Sequence, residues 1–389
     1  MAIDLVGFGI VLPILPRYAR DLSISPTTIG LIVGSFSLAQ MVCAPIMGRL
    51  SDRFGRKPVL IFSLCGTAVG SLLTGLAGPV WLLFLGRVVD GSSGASVSVA
   101  QAAVADVADP ADRPRLLGLL GAAFGVGFVL GPAIGSLAAL GGPHIPFFVA
   151  AVIAAVNALV ALRRLPETHS RRNSSRDAGA IASSPRLGFL GVVPATAVRL
   201  IVVAFVALYA FSGFESTFSE LIEDRFHYSI ASTGAIFTVI GLALVFVQAG
   251  LIHPAQAKLG TSGTVRFGLI CNAGGLVLLA VDGGWASVAP ALVLLVLGQG
   301  LVSPTLASWV AGEVPAHERG RLLGFQQSAG SFSRFVGPFA AGALYQHAGI
   351  PSPYLVGAAV VVGALVLVPK LPSVGPPKAA AAALVPPVT

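Results

Sequence analysis

Apolar residues along this chain fall into runs of about 18–25 residues separated by short polar gaps, and within the runs apolar and polar positions do not alternate. Alternation over about 10 residues would point to barrel strands. Unbroken runs of this length point to helices that cross a bilayer, where each backbone N–H and C=O must be paired within its own segment. Twelve spans are predicted, at 1–18, 26–47, 58–78, 80–107, 115–140, 145–164, 196–220, 229–252, 264–282, 286–311, 320–345 and 352–369. The longest polar interruption, 165–195, is rich in Ser and Arg and has no helical period. The organisation this predicts is an N-terminal six-helix bundle (1–164), a cytoplasmic linker (165–195), a second six-helix bundle (196–370) and a disordered, Pro/Ala-rich cytoplasmic tail (371–389).

Composition narrows the class. The chain of 389 residues is 55% hydrophobic and 10% charged, more apolar surface than a soluble domain of this length could bury. Its 47 Gly and 27 Pro suit membrane helices, where Gly permits close packing and Pro is tolerated. The net charge of +8 matters through its placement. With the N-terminus inside, 19 of the 24 basic residues fall on the cytoplasmic side and three, Arg17, Arg20 and Arg225, on the outer side; Arg87 and Arg334 lie within spans. That is a positive-inside bias, with both termini cytoplasmic. Basic residues scattered through short gaps do not make a nucleic-acid face. Cys43, Cys65 and Cys271 sit in apolar stretches and read as small buried hydrophobes, not as a disulfide or metal site. No secretory signal is visible. No Gly-rich loop with Lys-[ST] is present to bind ATP, and the histidines fall at or near loops, away from any intramembrane metal site.

Residues 48–57, "GRLSDRFGRK", place a dense charge cluster between spans 2 and 3, on the cytoplasmic side. The halves repeat. Arg115-Leu116-Leu117-Gly118 returns as Arg321-Leu322-Leu323-Gly324, and Gly131-Pro132 as Gly337-Pro338, both 206 residues later. A fainter echo aligns Arg53 and Gly55 with Lys258 and Gly260. Two related six-helix halves are the architecture of a transporter with alternating access.

With these features the chain resembles the major facilitator superfamily, in its twelve-span drug/proton antiporter branch. The resemblance rests on Gly48, Leu50, Asp52, Arg53, Gly55, Arg56, Lys57 and Pro58, which match the loop 2–3 signature G-x-L-[SA]-D-R-x-G-R-[KR]-P. It rests also on Gly118, Gly127, Gly131-Pro132 and Gly135-Ser136, which match the antiporter motif of span 5 apart from Ser136, where a second Gly is usual. Gly127, Gly131 and Gly135 form a small-xxx-small face that lets span 5 approach a neighbouring helix, and Pro132 permits a bend. The segments "GRVVDGSSGASVSVA", "PHIPFFVAA", "LPETH" and "EDRFHYS" look like those of tetracycline/proton exporters. Those exporters carry acidic residues where this chain has Gly70 and Asn272, so the resemblance does not extend to tetracycline as substrate.

Ionisable residues at membrane depth are costly and are candidates for function. Arg87 and Asp90 lie three apart in span 4 and are placed to pair; the resemblance associates Arg87 with proton transfer, and simple mutual neutralisation is the alternative. Asp4 matches an acidic residue that drug exporters carry in span 1, a proton-carrier candidate. The same helix runs further before this Asp in the family, so either the start lies upstream of Met1 or Asp4 sits in a frayed, hydrated helix end. Arg334, near the middle of span 11, needs a carboxylate, carbonyls or water. Glu215 is a further candidate in span 7, and Tyr209, Gln40, Gln248, Gln299, Gln326 and Gln327 line a cavity or bond locally between helices. The resemblance places the 48–57 loop, when the cytoplasmic side is closed, against the N-terminus of span 11, with Asp52 on its free N–H groups and Arg56 reaching Asp106. The expected protein is an all-α membrane transporter, not an enzyme, using no cofactor or metal. It exports small amphipathic compounds or drugs against protons across a bacterial cytoplasmic membrane, as a monomer. A sugar or metabolite transporter of the same superfamily, or a lipid-handling protein, are the alternatives.

Overall fold

The computed structural model describes residues 2–94, 96–107, 113–165, 194–281, 283–313 and 319–369; the expected linker and tail lie otherwise outside these. The described residues form helices and no strand. They are α1 (Ala2–Asp21), α2 (Pro26–Phe54), α3 (Arg56–Gly75), α4 (Val80–Ser93), α5 (Ser96–Val107), α6 (Arg113–Ala139), α7 (Ile145–Arg164), α8 (Ala195–Phe226), α9 (Ile230–Phe246), α10 (Ile252–Ala280), α11 (Trp285–Gly312), α12 (Arg319–Ala348) and α13 (Ser352–Ala364). A π-helical turn (Val247–Leu251) joins α9 to α10, three residues before Pro254, whose missing N–H cannot continue an α-helical ladder. Among the described residues, six helical segments are long and apolar enough to cross a membrane. Large apolar side chains such as Trp81, Val152, Val239 and Phe246 point outward, as they do when lipid is the solvent. Cys271 is buried, whereas Cys65 faces outward, a correction to its reading as a buried hydrophobe that costs nothing in hydrocarbon.

Three expected features change. The short 48–57 loop is helical except at one residue: α2 runs through Phe54 and α3 starts at Arg56, so the turn is Gly55 alone, at φ 102°. Likewise the gap expected at 253–263 is helical on both sides of Gly260, which turns the chain at φ 69°. Both are conformations open to glycine at little cost. Span 4 is broken, not continuous. α4 ends at Ser93, and helix resumes at Ser96. The carbonyls freed there are met from two sides, Ser93 O by the Ser63 hydroxyl and Gly94 O by Gln40 Nε2 at 2.8 Å.

The sequence repeat is a packing repeat. Gly131 of α6 sits on Gly9 of α1, where an added Cβ would lie 2.5 Å from the Gly9 Cα. In the second half Gly337 of α12 sits on α8, where a Cβ would lie 2.7 Å from the Tyr209 carbonyl oxygen. Gly70 of α3 meets Gly86 and Asp90 of α4, and Gly275 of α10 meets Ala291 and Leu295 of α11, 205 residues on. Each half has its own apolar core, around Ile10, Ile14, Tyr18, Leu83 and Phe147 in the first and Phe214, Phe218, Leu269, Leu295 and Tyr354 in the second.

The halves meet unevenly along the bundle. At the end away from residues 48–57, here the far end, α2 and α12 touch backbone to backbone. A Cβ on Gly30 would lie 2.7 Å from the Pro338 carbonyl carbon, and one on Gly342 2.9 Å from that of Pro26. Thr27 Oγ1 donates to Gln346 Oε1 at 2.6 Å, and the Ser219 hydroxyl to Pro13 O at 3.0 Å. At the other end, the motif end, a Cβ on Gly48 of α2 or on Gly324 of α12 would meet nothing within 4 Å. Among the described residues, the halves are joined backbone to backbone at the far end, and neither Gly48 nor Gly324 meets a neighbour at the motif end.

Candidate functional site

The motif end is organised by Gly55. Its positive φ turns α2 into α3 and brings Arg56 back over the last turn of α2. Arg56 is buried, with Nη1 2.6 Å from both the Ser51 hydroxyl and the Asp52 carboxylate. Ser51 in turn donates to Gly48 O at 2.7 Å. Asp52 is largely exposed and paired here with Arg56. Arg53 lies over the Phe54 ring, 5.4 Å from its centroid. Lys57 follows in the first turn of α3 and has an interaction partner of its own. Asp106 is in the helical backbone of α5, but its side chain is outside the described residues, as are those of Asp4 in α1 and the surroundings of Gly118 in α6.

Within the first half, Arg87 and Asp90 are brought together as their spacing suggested. Arg87 Nη1 is 2.9 Å from Asp90 Oδ2; both are buried, and the guanidinium stacks 4.5 Å from the Phe36 centroid. Stacking and pairing together make a buried arginine tolerable. In the second half, Glu215 of α8 and Arg334 of α12 are each the charged group acting on the other, across 119 positions of sequence. They make no direct ion pair among the described residues. Hydrocarbon costs an unpaired arginine at least about 3 kcal/mol, and Glu215 is an opposite charge within electrostatic reach of Arg334.

The polar candidates divide. Gln40 is taken up in the span 4 break, while Gln248 of the π turn and Gln327 are exposed. Gln299, Asn272 and Gln326 carry buried amide atoms without a protein partner. Gly127, Gly131 and Gly135 of the antiporter motif all face α1, against Leu5, Gly9 and Ile14, with Pro132 inside α6. These glycines seal α6 onto α1 within one half, while Pro132 O and Ser136 of the same motif face Gly234 of α9 in the other half.

Sequence reasoning missed the far-end lock. Arg17 and Arg20 of α1 pair with Glu223 of α8, Arg20 also pairs with Asp224, and Arg17 holds Asp21 at 3.3 Å. Tyr345 of α12 donates to Asp224 at 2.5 Å. Arg225 turns the other way and donates to Leu279 O and Val281 O, both at 3.0 Å, closing the end of α10. The three arginines that break the positive-inside pattern are thus all structural at this end. The signal was there to read: Arg17 and Arg20 fall on the same predicted side as Glu220, Glu223 and Asp224. Partly exposed pairs of this kind contribute about 0.2–1 kcal/mol each, enough together to hold an interface and little enough to release it.

Comparison with known proteins agrees with this architecture. The Major Facilitator Superfamily family model matches residues 1–338 and 200–387. The tetracycline resistance protein, class C, of Escherichia coli is 33% identical over 350 residues, covering 89% of this chain and 87% of its own. Multidrug resistance protein 2 of Bacillus subtilis (strain 168) is 27% identical over 347 residues, covering 87% and 85%. Among solved structures, the human organic anion transporter MFSD10 (TETRAN) superposes with TM-score 0.69 at 26% identity, covering 95% of this chain and 96% of its own. The nucleoside transporter NupG superposes with TM-score 0.71 at 15% identity, over 94% of this chain and 95% of that one, a likeness of fold. With two homologous six-helix halves, the glycine-hinged 48–57 motif and these relatives, the chain belongs to the Major Facilitator Superfamily of multi-pass membrane transporters.

Proposed function

We propose that this protein exports small amphipathic or hydrophobic compounds from the bacterial cytoplasm in exchange for protons. The motif end, both termini and the 165–195 linker face the cytoplasm, and residues 1–164 and 196–370 act as two rigid bundles in one monomer. The observation that carries this reading is the uneven meeting of the halves. A breakable ionic lock closes the far end while the motif end stands apart, with an arginine and a carboxylate at depth in each half. This is the cytoplasm-open arrangement of an alternating-access cycle. Each proton descending about 100 mV supplies about 2.3 kcal/mol. Asp4, Asp90 and Glu215, the last two beside Arg87 and Arg334, are the carboxylates placed to use it. When the cycle turns, the far-end pairs part, and Asp52 exchanges Arg56 for the N–H groups that open α12.

Relatives named for tetracycline and for multidrug resistance suggest the substrate class. The chain itself favours the broader one. A Cβ at Gly70 would stand 2.7 Å from both the Asp90 Cβ and the Gly86 carbonyl oxygen, so no side chain fits at 70 while α3 and α4 pack as they do here. The α3 carboxylate of tetracycline exporters is here replaced by one on α4. The test is dye and drug movement in everted vesicles with an imposed proton gradient. Uptake across a panel of amphipathic compounds, abolished by a protonophore, is expected. Uptake unaffected by the protonophore, or confined to a polar sugar or metabolite, would overturn the reading.

A further inference from the structure

Glu220 lies one turn before the lock residues on α8. It is 1% exposed, and its Oε2 has no hydrogen-bond partner. The groups that face it are Arg20 from α1, Tyr345 from α12, Tyr354 from α13 and Asp224 on its own helix. Arg20 is already committed to Glu223 and Asp224, and reaches only the main-chain oxygen of Glu220, at 3.5 Å. Around this interface four carboxylates, Asp21, Glu220, Glu223 and Asp224, face Arg17 and Arg20, while Arg225 also acts on Tyr354 but donates to the Leu279 and Val281 carbonyls. Ionised, Glu220 would be a buried anion with no cation of its own beside another anion, a cost of several kcal/mol.

We propose that Glu220 is a proton-coupling residue of the far-end lock, holding a proton while the lock is closed and exchanging it with the far-side medium when the lock opens. The step is one O–H bond formed on the carboxylate from solvent and broken again to solvent. When α1 withdraws, Arg17 and Arg20 leave with it and water reaches the site, so the carboxyl ionises. The closed state then binds one proton more than the open state. Acid on the far side therefore favours closure, and alkali favours opening. The inference rests on the alternating-access reading and not on any particular substrate.

The test uses the full chain in lipid nanodiscs, with Cys43, Cys65 and Cys271 replaced and nitroxide labels at the exposed far-end positions Pro143 and Gly283, one in each half. Spin–spin distances are read without substrate as pH is lowered. The expected closed-to-open ratio rises as pH falls, by up to about tenfold per unit, the limit for one proton. Glu220→Gln should be biased closed and lose the response, Glu220→Asp should keep it, and Glu223→Gln should weaken closure at every pH while keeping the response. A wild-type protein that does not respond, or a Glu220→Gln protein that responds as wild type does, overturns the proposal. Infrared difference spectra give an independent reading: a buried, protonated carboxyl band in the closed wild type that shifts in Glu220→Asp is expected, and its absence counts against the proposal. Because no substrate is present, a wrong transport assignment would leave these readings intact.

Discussion

Gly30→Ala tests whether the far-end contact between α2 and α12 is what holds the halves in this conformation. The new methyl would stand 2.7 Å from the Pro338 carbonyl carbon and 3.0 Å from the Phe339 Cα, both backbone atoms that no rotamer can move. Ordinary carbon–carbon contact is about 3.5–4.0 Å, so the helices must part by about an ångström. Overpacking of this kind costs about 1–3 kcal/mol. Here it falls only on the conformation in which the halves touch, so the closed-to-open ratio should drop by about 5- to 150-fold. Gly131→Ala is the control. Its methyl would stand 2.5 Å from the Gly9 Cα and carbonyl carbon, a clash as severe but contained within one half. It should lower thermal stability and yield while leaving the ratio near wild type. The assay is the Pro143/Gly283 distance distribution together with thermal unfolding in detergent. An unchanged ratio in Gly30→Ala, or an equal shift in Gly131→Ala, would refute the argument that these two glycine contacts belong to different mechanical units.

Three further outcomes are expected. Asp52→Asn removes the 2.6 Å pair with Arg56 and the charge meant for the start of α12. It should keep topology but cripple export and raise cytoplasmic labelling of cysteines placed early in α12; normal export with unchanged labelling would make the motif a topological anchor only. Arg334→Gln leaves Glu215 without its charged neighbour and should abolish transport, and adding Glu215→Gln should restore membrane yield without restoring proton exchange, measured as substrate-driven pH change in vesicles. Asp4→Asn should insert normally yet lose substrate-driven proton release; coupling at the wild-type rate would pass the carrier role to Asp90 or Glu215.

The spans, their division into related halves and the asymmetry of basic residues were legible in the sequence, because each follows from local rules. Apolar run length answers to bilayer thickness, arginine placement to insertion, and the 206-residue offset to repetition of one packed unit. The Arg87–Asp90 pair was legible for the same reason, since three residues along a helix fix a neighbourhood. Tertiary structure alone decided the rest. It showed that the turn at Gly55 is one residue long and that helix continues on both sides of Gly260, because a glycine in a polar stretch reads the same whether it ends a helix or turns one. It showed that the span 4 break is sustained by Ser63 and Gln40, donors from two other helices. It brought Glu215 within electrostatic reach of Arg334, and paired Arg17 and Arg20 with Glu223 and Asp224, across more than a hundred positions. Charge pairing of that kind depends on which helices cross and at what height, and the folded bundle, not the order of residues along one helix, sets that crossing.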